Sequence, residues 1–294
     1  MDGVFARSWN LTKLSFAVIR EDKELLIFPF LSAFFSLLVL GAFWVPIQTL
    51  LTLLGNHQGS SNSGLGWGLL FILYFLLNFV ATFFNVSAVH IIKKRLEGGK
   101  EPLSESFAFA FSRVHLIATW SLVAATVSLF FKMLENLIDK KGNGLGWVVS
   151  LILSLILGGI EISWTIVTLF VIPAMVYKDM GPIDAVKEST RVIKKTWGEK
   201  LARNFAMGLI HFCFLMLGLL PLMAVGYMLV ASDAGYVAYG LLAFVTVAYF
   251  SVVSAVFSMA NTVFNTALYV YGSTGKSPEG FPSSLMESAF RPKG

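Results

Sequence analysis

Charge is scarce in this sequence, and so is cysteine. Asp, Glu, Lys and Arg together make up 13% of the residues, about half the share that a soluble domain carries. The single cysteine, Cys213, has no second thiol to join, so an intrachain disulfide framework is excluded and no redox compartment is marked. It reads as a small core hydrophobe. The four histidines, His57, His90, His115 and His211, are scattered, with no H-E-x-x-H run and no Cys-His spacing that would hold a metal. No Ser-His-Asp or Cys-His arrangement stands out, and no carboxylate pair sits where one polar cleft would hold both. The segment "YGSTGKS" ends like a phosphate-binding loop, but Val270 stands where that loop needs its first glycine, and no strand precedes it. The expectation is a non-enzymatic protein without metal or cofactor.

What the chain has in excess is apolar length. Hydrophobic residues make up 56% of it, and the mean hydropathy is +0.75. A hydrocarbon core of roughly 30 Å takes about 20 helical residues to cross. Six runs reach that length: 25–54, 65–92, 114–138, 145–177, 204–231 and 235–271. They are continuous rather than alternating, which predicts helices and excludes barrel strands. No cleaved signal peptide is expected, because an acidic, amphipathic stretch precedes a first apolar run of about 30 residues, against the 7–15 of a signal core.

Basic residues are divided unevenly by these runs. Nineteen Lys and Arg fall on one side, in the N-terminal segment, the second and fourth connections and the tail; three, Lys132, Lys140 and Lys141, fall on the other. The positive-inside rule then puts both termini in the cytoplasm, which requires the even number of crossings counted independently. The net charge of +5 reads as topology and attraction to anionic lipid headgroups, not nucleic-acid binding. The expected location is the cytoplasmic membrane.

Three stretches share one plan, a polar lead-in and an amphipathic segment followed by two crossings. In 181–200 a helical projection gathers Asp184, Lys187, Glu188, Arg191, Lys194 and Lys195 on one arc and Val186, Ser189, Val192, Ile193 and Trp197 on the other. The opening segment gathers Asn10, Lys13, Ala17, Arg20 and Glu24 against Phe5, Trp9, Thr12, Phe16 and Ile19. The middle copy, "EPLSESFAFAFSRVH", alternates Phe107, Phe109 and Phe111 like a strand, but a lone strand at a bilayer leaves its backbone unsatisfied, so a short helix is expected. The predicted architecture is all-α: six transmembrane helices as three hairpins, each preceded by an amphipathic interfacial helix. The chain is then one transmembrane domain, 1–294, with modules 1–97, 98–180 and 181–272. Residues 273–294 form a tail whose "FPSSLMESAF" either frays or begins a fourth interfacial helix.

The opening Arg7, Ser8, Trp9 and Lys13, with the run from Asp22 to Pro29, resembles a family of bacterial and archaeal integral membrane proteins of unknown function. The segments "FFNVSAVHIIKKRLEGG" and "LIATWSLVAATV" are similar to that family's middle portion. The helix "DAVKESTRVIKKTW" is more loosely similar to membrane domains that accompany glycerophosphodiester phosphodiesterases, although their hydrolytic domain has no counterpart in this sequence. In architecture alone the chain also resembles CysZ-type sulfate permeases. The resemblance implies a membrane protein and no activity.

Glu161 is the sharpest candidate for function. It stands in the middle of the fourth run, where a carboxylate is costly and has to face the protein interior, as an ion or proton site or as a packing bond. His211, in the fifth run, would relay protons if it met Glu161, and otherwise would bond a carbonyl. Asn261 and Asn265 share a face of the last run, and Asn78 and Asn85 stud the second; such residues glue helices together or line a polar path. Ser150, Ser154 and Gly158, with Gly159 and Ser163, form a small-residue stripe suited to close helix approach, within the chain or in a homo-oligomer. Lys13, Arg20, Lys194 and Lys195 are the expected contacts for anionic headgroups of the inner leaflet. Two functions follow: a channel or permease for an ion or small solute, oligomeric, with Glu161 on its path, or a scaffold that organises cytoplasmic-leaflet lipid.

Overall fold

A computed structural model describes residues 4–56, 63–139, 146–196, 206–232 and 235–283. Every regular element in them is helical. In chain order these are α1 (Val4–Glu21), a 3₁₀ turn (Lys23–Leu26), α2 (Ile27–Asn56), α3 (Ser63–Leu96), α4 (Leu103–Ser112), α5 (Val114–Asp139), α6 (Gly146–Val167), α7 (Val171–Lys178), α8 (Pro182–Thr196), α9 (Ala206–Ala231) and α10 (Tyr236–Thr274). Six stretches are long and apolar enough to cross a membrane: 23–48, 64–96, 114–135, 149–178, 211–231 and 236–274. By that length and composition the chain is a multi-pass membrane protein.

The chain folds into two compact units. One is built from Met1–Pro29, Leu96–Gly98 and Lys194–Gly294. Here α9 packs on α10, and α1 lies against both. The switch of character at Leu25 corresponds to a real break: α1 ends at Glu21, one 3₁₀ turn follows, and α2 begins with Pro29 in its first turn, where a missing amide hydrogen costs nothing. Of the apolar face expected for α1, Phe16 and Ile19 are described, and both pack on protein. Ser15 and Ile19 are buried and Phe16 meets Phe257 of α10 edge-on at 5.3 Å, while Lys13, Ala17 and Arg20 stay exposed.

Beyond α10 the tail does not fray at once. Gly275 ends the helix in the left-handed conformation at φ 74°, its N–H donating to the Tyr271 carbonyl at 2.7 Å. The Glu279 N–H then donates to the Leu96 carbonyl at 3.2 Å, and Phe281 is buried. Gly98, at φ +82°, sits in the left-handed region that favours glycine, while the Glu279 carboxylate beside it is the movable end of a long side chain. Most of "FPSSLMESAF" lies outside the described residues.

The second unit comprises Phe30–Arg95 and Gly99–Ile193. Val86 and Val89 of α3, Ala110 of α4, Ile117 of α5 and Val176 of α7 form its core, with Phe79, Phe83, Phe109 and Ile172 packed around them. The segment with alternating phenylalanines is a helix, and each ring finds a place on α3: Phe107 near Phe84, Phe109 on His90 and Phe111 on Phe83. Phe35 of α2 stacks on Phe84 at 5.6 Å. α5 packs along α6, with Trp120 and Trp164 stacked at 6.3 Å.

Two expectations are corrected in this unit. The fourth run is not one helix; it breaks at Thr168–Phe170 between α6 and α7. On α8 the buried arc is turned toward Glu188: Ala185, Glu188, Ser189, Val192 and Ile193 are inside, Val186 is half-buried and Ile183 is exposed. The positions 185, 188, 189 and 192 follow helical spacing, so Glu188, at the edge of the polar arc, falls on the packed side. Asp184, Lys187, Arg191 and Lys194 remain exposed, and the side chains of Lys195 and Trp197 lie outside the described part.

Candidate functional site

Between α5 and α6 there is a recess of about 310 Å³ lined by Glu135, Ile138, Ser154, Leu157, Gly158 and Glu161. Positions 154, 157, 158 and 161 recur at helical spacing, so they form one stripe of α6 facing α5. The stripe is small by composition, and this leaves the recess open: a Cβ at Gly158 or Gly159 would meet nothing within 4 Å. Ser150 donates from Oγ across to the Ile138 carbonyl at 3.3 Å, and Ser154 donates back to the Ser150 carbonyl at 2.8 Å, which fixes the loop-proximal end. The two carboxylates differ in state. Glu135 is paired with Lys132 at 2.8 Å one turn earlier, whereas the half-buried Glu161 carboxylate makes no hydrogen bond or ion pair among the described residues.

Glu161 stands twelve residues after the start of the span 149–178 and seventeen before its end. It is therefore near mid-span, where an unpaired carboxylate is most expensive in lipid. A polar recess beside it is the chemical complement that such a group requires.

The other expected site residues are not gathered there. Asn85 shares the unit with Glu161, but His211, Asn261 and Asn265 belong to the other unit. There the His211 ring lies parallel to Phe257 at 4.8 Å, and its Nε2 has no hydrogen-bond partner among the described residues. Asn78 donates to the Tyr74 carbonyl of its own helix at 2.8 Å and is no bridge between helices. Asn85 and Asn265 are half-buried and Asn261 is exposed, none with a side-chain hydrogen bond among the described residues.

A second polar cluster was not visible as such in the sequence. His90, on the last turns of α3, is buried and faces the Glu101 carboxylate at 3.2 Å, while its ring stacks on Phe109 at 3.9 Å. The Arg113 guanidinium lies over the same ring at 4.3 Å and pairs with Asp179 at 2.8 Å. Asp179 takes the left-handed conformation, φ 51°, tolerated by Asp and well suited to ending α7. Lys93 reaches over the Tyr177 ring at 4.9 Å. On α8, the nearly buried Glu188 accepts from Lys178 and Arg191, one carboxylate oxygen each, both at 2.5 Å. Most of these charges are matched within the cluster, which suits it to hold α3, α4, α5, α7 and α8 together.

No curated protein matches the chain. Residues 65–281, which include the recess, the break in the fourth span and the polar cluster, match the model of a family of unknown function, DUF6159. That is about three quarters of the sequence, and the chain belongs to this family.

Proposed function

We propose that this protein is a non-enzymatic channel or permease of the cytoplasmic membrane for an ion or small solute, with the α5–α6 recess on its path. The observation that carries this reading is Glu161: a carboxylate near mid-span with no partner among the described residues, facing a recess that also holds Glu135. An intramembrane ionisable group is retained against its cost when it serves transport or proton movement. Two carboxylates, one already neutralised by Lys132, favour a cation over an anion as the passing species. The open ground beside Gly158 and Gly159 supports association of copies along that stripe. The test is flux in proteoliposomes across a panel of cations and small solutes. Wild type is expected to conduct at least one of them, and Glu161→Gln to cut that flux about tenfold, which corresponds to ~1.4 kcal/mol; equal flux in both, or none across the panel, sinks the proposal.

The lipid-organising alternative draws on Lys13, Arg20 and Lys194, which stay exposed. Behind them, however, Phe16 and Ile19 of α1 and Val192 and Ile193 of α8 pack on protein. These residues are then not free to enter the leaflet, which leaves headgroup charge, screened by salt, as the main hold.

A further inference from the structure

The fourth span is interrupted where Pro173 forces it. Proline has no amide hydrogen to give the Leu169 carbonyl, and its ring crowds that carbonyl. The backbone tightens in response: Leu169 donates to Ile166 at 3.1 Å and Val171 to Thr168 at 3.1 Å, both one residue short of the α-helical spacing. Thr168 adds a bond from Oγ1 to the Trp164 carbonyl at 2.9 Å, a pattern that bends helices. The Phe170 N–H leaves its own helix altogether. It donates to Ser189 Oγ on α8 at 3.1 Å, with both residues fully buried. The spot is closed off from the surface, and an unmet buried N–H is costly.

The residue before Ser189 grips the other end of α7, since Glu188 binds Lys178. Two adjacent side chains of α8 thus hold the eight-residue α7 at its first and last turns. Five of those eight residues, Val171, Pro173, Ala174, Met175 and Val176, are buried. On the far side of the break, α6 is far more exposed, with Leu155, Ile156, Ile160 and Ile162 all more than half uncovered or close to it.

We infer that Thr168–Phe170 is a hinge and that α8 is the clasp that sets it. With Ser189 engaged, the span is held bent; with Ser189 released, α6 swings against the fixed α7, carrying Glu161, seven residues upstream, with it. A tightened stretch inside a long helix is where such motion is absorbed. This inference concerns motion and stands apart from the transport reading, so it is tested without flux.

The measurement is amide hydrogen exchange at Phe170 in the full-length protein in nanodiscs. Ser189→Ala is expected to speed that exchange at least tenfold, and Ser189→Thr, which keeps the hydroxyl, to leave it near wild type. Exchange in Ser189→Ala within twofold of wild type overturns the clasp. Should Ser189→Ala fold poorly, Pro173→Ala supplies the second arm. With the amide restored and the ring gone, the span is expected to run on as one helix and to protect Phe170 with or without Ser189. If the double variant exchanges as fast as Ser189→Ala alone, or faster than wild type where the single variant cannot be read, the hinge is overturned. Spin labels at the exposed Ile156 and Lys187, in a Cys213→Ala background, report the swing. A second distance population is expected in Ser189→Ala, and one distance shared with wild type also rules the hinge out.

Discussion

At the scale of single residues, one carboxyl beside the His90 cluster, that of Glu105, is perturbed. Glu105 lies one helical turn beyond Glu101, and its carboxyl is held above the usual carboxylate range. The hydrogen bond to the Glu101 carboxyl is the main cause, burial and the Glu101 charge add to it, and Lys94 opposes it. The sign follows from linkage: a carboxyl with a raised folded pKa binds its proton more tightly in the folded state, so its contribution is present at low pH and fades as pH rises through the folded value. Stability should therefore fall slightly on going upward from the ordinary carboxylate range, the effect being small because Glu105 is exposed. Glu105→Gln should flatten that slope in thermal melts run across the window, and an unchanged slope would assign it to another group. No sequence pattern could have announced this cluster. Its members come from 90–93, 101–113 and 177–191, and only the packing of α4 and α8 on α3 and α7 brings them together.

At the scale of elements, α9 and α10 are joined by a notch. Tyr249 donates from its hydroxyl to the Phe214 carbonyl at 2.7 Å, and its ring fills the space that a side chain at position 218 would occupy. Gly218 is thus required by close approach. Gly218→Ala should displace the ring and cost about 1–3 kcal/mol, as overpacking does. Tyr249→Phe, which removes only the bond, should cost about 0.6 kcal/mol. Thermal melts in detergent rank the two, and a Tyr249→Phe loss equal to that of Gly218→Ala would mean that the hydrogen bond, not the fit, joins the helices. Elements like these were readable where hydropathy or helical period speaks alone. The six apolar runs, the break before α2 and the helical state of 103–112 all emerge from the sequence. The break in the fourth span did not, because hydropathy sums across "LFVIPAMVYK" without registering that Pro173 removes a donor. Glu188 was misplaced for a similar reason: its helical angle lies at the edge of the polar arc, and the neighbours on α7 decide to which side it belongs.

At the scale of the whole molecule, the distribution of positive charge remains the strongest statement about orientation. Nineteen basic residues against three is an imbalance that insertion machinery reads directly, since each Lys or Arg near a span end resists translocation. The described residues hold six stretches long and apolar enough to cross, and six crossings would return the C-terminal segment to the side of the N-terminal one. The connection between α5 and α6 should then face outward and the segment after α10 inward. A single cysteine placed at Asn143 or at Lys276, in a Cys213→Ala background, tests this with a membrane-impermeant maleimide on intact cells. Asn143→Cys should label from outside, and Lys276→Cys only after permeabilisation. The reverse pattern would invert the molecule and turn the charged face of α8 to the outside. Labelling of both from outside would require an even number of crossings between them, in place of the three expected of the fourth span, α9 and α10.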